Sequence, residues 1–259
     1  VDAGATIGEG VVVGPWCTVG PDVVLEDGVR LISHVVVAGR TTIGPRTILY
    51  PFASIGTPPQ DVKYRGEESR LEIGADNIIR EHVTMNPGTE GGGMLTRVGA
   101  GGLFMAGSHV AHDCVVGTGV VMANQTALAG HVTVGDFAII GGLSGVHQFC
   151  RIGAHAIVGA MSMVAQDVIP YGSAHGDRAR LTGLNLVGLE RRAFPPQEVH
   201  ALRTAYRLLF TDEGTLAERL DDVAGMCAGN EPVMEIVDFM RTDPPRPICQ
   251  PSLVEIVKP

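Results

Sequence analysis

The sequence predicts an all-β solenoid, a parallel β-helix built of many short coils, followed by a small C-terminal helical domain. Three observations predict it. An apolar residue returns at every sixth position over most of the first 170 residues. Glycine, at 35 of 259 residues, is spread along the chain rather than clustered, at about twice its usual share of ~7%. Apolar spacing switches to that of an α-helix only near the C-terminus.

The hexad starts at once with Val1, Ile7, Val13, Val19, Leu25, Leu31, Val37, Ile43, Leu49 and Ile55. The residue after each is often Gly or Ala, as at Gly8, Gly14, Gly20, Ala38, Gly44 and Gly56, and the fourth after it is small or β-branched. Two inward residues in six, with glycine available at a bend, describe short flat faces joined by corners. Three such faces close a triangular coil of about 18 residues, and stacked coils pair as parallel strands roughly 4.8 Å apart. One coil leaves its apolar side open, so stability comes from stacking many.

Two segments interrupt the pattern. Residues 57–70 are polar and carry Pro58-Pro59, which predicts an extruded loop. The hexad resumes at Ile73, Ile79 and Met85, then breaks again over 86–97, where Gly91-Gly92-Gly93 shifts the register before Val98. From there it runs unbroken through Phe104, Val110, Val116, Met122, Leu128, Val134, Ile140, Val146, Ile152, Val158 and Val164. After Pro170 it stops. Helical spacing appears over 198–210, a Thr215–Glu218 capping box announces a second helix, and 231–241 makes a third, ended by Pro244-Pro245. The division expected is residues 1–185 for the β-helix, with loops near 57–70 and 86–97, and 186–259 for the helical domain.

A net charge of −9, with no basic stripe, argues against nucleic-acid binding. Cys17, Cys114, Cys150, Cys227 and Cys249 are odd in number and widely spaced, as expected of reduced thiols in a cytoplasmic protein. No apolar run of about 18 residues is present, so no transmembrane segment is expected.

The chemistry lies where the 18-residue coil turns sequence offsets into neighbours. His112, Gly130 and Gln148 stand one coil apart on one edge, with His131 and His147 adjoining and His109 three residues ahead of His112. Imidazole, with a reference pKa near 6.5, suits a general base working on a hydroxyl. Asp113 would orient the ring, provided that the chain turns a corner there, and the Gly130 amide would face a developing oxyanion. His109, His112 and His131 could instead hold zinc, and a non-catalytic scaffold is a third possibility; no metal is the expectation adopted. For His34, His82, His155, His175 and His200, a solvated surface position is the plainer expectation. A second column, Ala106, Asn124, Gly142 and Ala160, is nearly all small and leaves a groove for a slender apolar chain.

The hexad resembles that of the left-handed parallel β-helix acyltransferases. At ISHVVVAGRTTIG, QDVKYRGE, GSHVAHDC, LAGHVTVGDFAIIGG, VHQFCRIGAH, VAQDVIPY and GLERR, the chain is similar to the UDP-N-acetylglucosamine O-acyltransferases of lipid A synthesis. That resemblance implies the left hand, a homotrimer with active sites between subunits, and no cofactor beyond an acyl carrier protein thioester as donor. It also implies transfer of an (R)-3-hydroxyacyl chain to the 3-position of the UDP-sugar, or to a 3-amino analogue. It gives His112 the role of base, Asp113 its partner and Gly130 the oxyanion donor. Asp61, Lys63, His109, His131, His147, Gln148, Asn185, Arg191 and Arg192 would hold substrate, and Ala160 would set chain length. The departure is Val187, where the family carries an acid, which puts a ribose contact in question.

Overall fold

In the computed structural model, which describes residues 1–242 and 246–251, three sheets of eight, ten and eight strands, parallel but for the last strand of the ten, form the faces of a prism. Most strands are two residues long, and Thr6 pairs with Val24 and Thr133 with Arg151, the 18-residue coil of the hexad. Hexad residues from Val19 to Val164 fill the interior, and Phe104, Leu49, Met122 and Leu128 are fully buried. In the first described coil, Ile7 is 43% exposed. The coil is left-handed. The right-handed preference of parallel crossovers arises from twist along longer strands, and two-residue strands accumulate little.

Glycine serves at bends, but not at every glycine of the repeat. Glycines such as Gly8, Gly14 and Gly44 do not turn the chain; their φ is not positive. At Gly14 a Cβ would lie 1.8 Å from the Ile32 carbonyl oxygen, so glycine is needed because the next coil passes against it. The turning is done in the left-handed region by Gly4, Gly10, Gly28, Gly101, Gly107 and Gly119 and, at the same position of other coils, by side-chain-bearing residues, among them Trp16, His34, Phe52, His82, Asp113, His131, Phe149, His155 and Tyr171. Such a conformation costs roughly 1–2 kcal/mol per residue, and ring stacking offsets it. Trp16, His34, Phe52 and His82 form a ladder with centroids 5.0, 5.0 and 5.1 Å apart. His155 lies between Phe137 and Tyr171 in a second one. His34 and His82 are thus exposed corner residues, His155 is a half-buried one, and His175 and His200 are exposed as well.

Both interruptions are insertions between paired coils. Thr41 pairs with Leu71 and Leu71 with Thr96, so each insertion leaves the sheet register intact. Past Pro170 the sheet continues beyond the hexad: Gly172–His175 pairs with Ile157–Val158 and turns into an antiparallel strand, Arg180–Leu184. Four helices follow, α1 (Leu186–Arg191), α2 (Pro196–Leu209), α3 (Leu216–Cys227) and α4 (Glu231–Arg241). The Thr215–Glu218 capping box is present at α3. Pro244 and Pro245 lie outside the described residues. The helices bury Leu202, Leu209, Val223, Ile236 and Val237. They are tied to the prism where the Arg151 guanidinium, 2.6 Å from buried Asp167, lies over the Phe239 ring, and where the Tyr171 hydroxyl donates to Glu235.

Candidate active site

The strand His109–Val110 ends before Ala111, and the chain turns at Asp113, whose φ is 60°. In a continuous strand, His112 and Asp113 would point to opposite faces. The corner brings them together, with His112 Nδ1 2.8 Å from Asp113 Oδ2. The Asp113 side chain is 1% exposed, and its carboxylate also accepts from the Thr89 amide at 2.8 Å and the Thr89 hydroxyl at 2.5 Å. Threonine 89 was not legible as a site residue; it lies on the second insertion, outside the periodic pattern.

One coil on, Gly130 lies against the His112 ring. A Cβ built there would be 2.4 Å from His112 Cε1 and 2.6 Å from Nε2. The Gly130 carbonyl accepts from the Phe149 amide, while its own N–H donates to nothing among the described residues. His112 Nε2 likewise has no partner among them. A proton acceptor and a bare amide donor thus share one small space.

The other histidines divide. His131 meets His112 edge-on with centroids 5.1 Å apart, stacks on Phe149, and has Nδ1 3.8 Å from Asp113. His109 Nδ1 is 2.7 Å from the Thr84 hydroxyl. His147 is exposed and belongs to a different contact: its Nδ1 lies 2.9 Å from the Arg246 guanidinium and 3.3 Å from the Gln148 carbonyl. Arg246 also donates to the Gln148 carbonyl at 3.1 Å, so the returning C-terminal segment is pinned to this ridge. The ridge therefore gathers His112 and His131 tightly, with His109 close enough to feel the charge of His112. Sequence spacing gave no sign of Arg246.

Burial holds His109 below the usual histidine value, with the charge of His112 adding to it. Burial lowers His131 as well, against the pull of Asp113; Asp61 and Lys63 of the first insertion also act on this ring, one raising and one lowering. Burial lowers His155 too. Each ring binds its proton more weakly folded than unfolded. Stability is therefore complete above about pH 6.5 and is lost as pH falls through the folded values. We expect the melting temperature to drop from pH 6.5 to 5, and His109→Gln to flatten that slope; an unchanged slope would assign the acid sensitivity elsewhere. Cys114, beside the dyad, is fully buried, donates to the Ala129 carbonyl and is pushed up to about 12 by burial, so it offers no thiolate nucleophile. All five cysteines are free thiols.

The small column is stacked as spaced, since Gln125, Leu143 and Met161 donate their amides to the carbonyls of Ala106, Asn124 and Gly142. Ala160 is exposed at its end. Asn185 stands at the start of the short helix α1. It caps α1, its Oδ1 accepting from Gly188 N at 3.0 Å and its amide donating to the His155 carbonyl at 2.8 Å, and it is 5% exposed. Arg192 donates to the Phe137 carbonyl and lies over that ring, whereas Arg191 is exposed with no partner among the described residues. Val187 is 59% exposed on the same short helix.

Among the described residues, one group offers metal-ligand atoms together: His112, Asp113 and His131, within 4.8 Å. It is not the His109, His112, His131 set that spacing suggested, because His109 is turned to Thr84.

A family model described as UDP N-acetylglucosamine O-acyltransferase, domain 2, matches residues 167–249. An acyl-[acyl-carrier-protein]–UDP-N-acetylglucosamine O-acyltransferase of Caulobacter vibrioides is 57% identical over 231 residues, 89% of this chain and 88% of that protein. Its namesake in Rhizobium johnstonii is 47% identical over 252 residues, 97% and 93% of the two chains. Among solved structures, a UDP-N-acetylglucosamine O-acyltransferase from Moraxella catarrhalis superposes with a TM-score of 0.93 at 39% identity, covering 96% of each chain.

Proposed function

Because the chain belongs to the UDP-N-acetylglucosamine O-acyltransferase family, we propose that His112, Asp113 and the Gly130 amide carry its acyl transfer. The enzyme moves an (R)-3-hydroxyacyl group from acyl carrier protein to the 3-hydroxyl of UDP-N-acetylglucosamine, the first step of lipid A biosynthesis. His112 Nε2 takes the proton of the sugar hydroxyl as its oxygen attacks the thioester carbonyl. The carbonyl oxygen gains the negative charge and is held by the Gly130 N–H. Collapse re-forms the carbonyl, breaks the C–S bond and passes the proton from the imidazolium to the departing thiolate. Asp113 holds Nδ1–H and stabilises the imidazolium throughout. No enzyme-bound acyl intermediate is needed, and no metal or organic cofactor enters.

The observation that carries this reading is the His112 ring fixed on buried Asp113 with Nε2 free beside Gly130. Asp61, Lys63, His109, His131, Gln148, Arg191 and Arg192 position the sugar nucleotide and the donor, and His147 acts from its contact with Arg246. The column ending at Ala160 takes the acyl chain. We further propose a cytoplasmic homotrimer; no described helix is long and apolar enough to cross a membrane. Leu143 and Met161, 64% and 73% exposed beside the small column, are apolar surface of the kind that a second copy covers.

The test is a panel of acyl-carrier thioesters of graded length against UDP-N-acetylglucosamine and its 3-amino analogue, with light scattering of the pure protein. The expected result is O-acylation, a length optimum that shortens in Ala160→Leu, and a mass about three times 27.2 kDa. Preference for the amino sugar would replace the acceptor, an optimum indifferent to residue 160 would move the chain elsewhere, and a monomer would remove the subunit groove.

A further inference from the structure

The second insertion is left over by the scaffold, and its glycine run has no part in the hexad. We propose that Thr89 is a positioning residue whose amide and hydroxyl clamp the Asp113 carboxylate and thereby set the tautomer and basicity of His112. This rests on His112 being the base.

The insertion lies flat on Asp113. A Cβ at Gly92 would fall 1.9 Å from the Asp113 Cγ, and one at Gly88 2.8 Å from Oδ1, so only bare backbone fits over the carboxylate. Thr89 sits at the centre of that cover, itself 5% exposed, and its carbonyl accepts the amides of Gly92 and Met94, which closes the loop around it. Its two donors take both carboxylate oxygens, Oδ1 from the amide and Oδ2 from the hydroxyl. From the other side, the Asp113 amide donates to the Thr96 hydroxyl at 2.8 Å, which holds the corner.

No Lys or Arg pairs with Asp113 among the described residues. Its titratable neighbours are His112, His131 and the Cys114 thiol, with His109 responding to His112, Asp61 and Lys63 acting on His131, and Glu90 exposed on the same loop. A buried carboxylate without a cationic side chain depends on directed hydrogen bonds. With Thr89 serving both oxygens, the remaining interaction is the one from His112 Nδ1–H, which leaves Nε2 as the acceptor.

Thr89→Val keeps the shape and removes only the hydroxyl. Expected are a fall in kcat of about tenfold with KM for both substrates unchanged, and an acid limb of the kcat/KM profile that moves to higher pH, since a carboxylate with one donor fewer attracts the imidazolium more strongly. Thr89→Ser should restore both. If Thr89→Val does not fold, Thr89→Cys, similar in volume and a weak donor, is assayed in the same way. Unchanged kcat and profile in the folded variant would make the residue mere packing and overturn the clamp. His112→Ala run alongside separates the two ideas: full activity there would sink the base itself, whereas an inactive His112→Ala with a normal Thr89→Val would sink only the clamp.

Discussion

His112→Ala is expected to lower kcat/KM for acyl transfer by about 10³-fold, the contribution typical of a positioned general base. The loss should fall on kcat, because the ring acts on the proton in the transition state rather than on ground-state binding. The ring sits on a corner outside the hexad core, 15% exposed, so the fold should survive, with a modest fall in melting temperature because buried Asp113 loses one hydrogen-bond partner. Steady-state kinetics with an acyl-carrier thioester measure the effect, and circular dichroism checks the fold. Activity above a tenth of the wild-type value would remove His112 from the proton transfer. His112→Gln, which keeps a polar group without a titratable nitrogen, should be as inactive as the alanine variant.

Gly130→Ala is expected to cost about 10²-fold in kcat, for steric and electrostatic reasons together. The new methyl group would stand 2.4 Å from His112 Cε1 and 2.6 Å from Nε2, well inside contact distance. The ring must leave Asp113, or the methyl group takes the space where hydroxyl and oxyanion would meet the amide. Backbone strain is not the cause, since φ at Gly130 is not positive. A suitable control is Gly225→Ala in α3, where an added Cβ meets nothing within 4 Å; both activity and stability should survive. Wild-type turnover in Gly130→Ala would mean that the oxyanion is held elsewhere.

Different parts of the molecule were legible to different degrees. The prism was readable because every coil repeats the same burial demand, so Val19, Leu31, Phe104 and Ile152 each report the same rule. The ridge of His112, Gly130 and Gln148 followed from the same arithmetic. The strands at Gly172–His175 and Arg180–Leu184 escaped notice because they prolong the sheet without the hexad, and α1 is too short, at six residues, to show a helical period. Thr89 and Arg246 reach the site from an insertion and from the chain's far end, where no spacing rule connects them to it. Glycine divides between turning, as at Gly10 and Gly28, and close approach, as at Gly14, for a related reason. Whether a position lacks a side chain in order to turn or in order to let the next coil pass depends on φ and on the neighbour, and neither is written locally.

The sequence by itself determined the coil, its length, the interior and which histidines stand on one edge, because periodic burial is a property that each residue carries alone. Only the tertiary structure decided that Asp113 turns back to His112 under a cover of glycine backbone, that Asn185 is occupied as a cap, and that His147 answers to Arg246. Those outcomes depend on the direction of single side chains at corners and on the paths of non-repeating segments, and such directions are fixed by contacts between residues far apart in number.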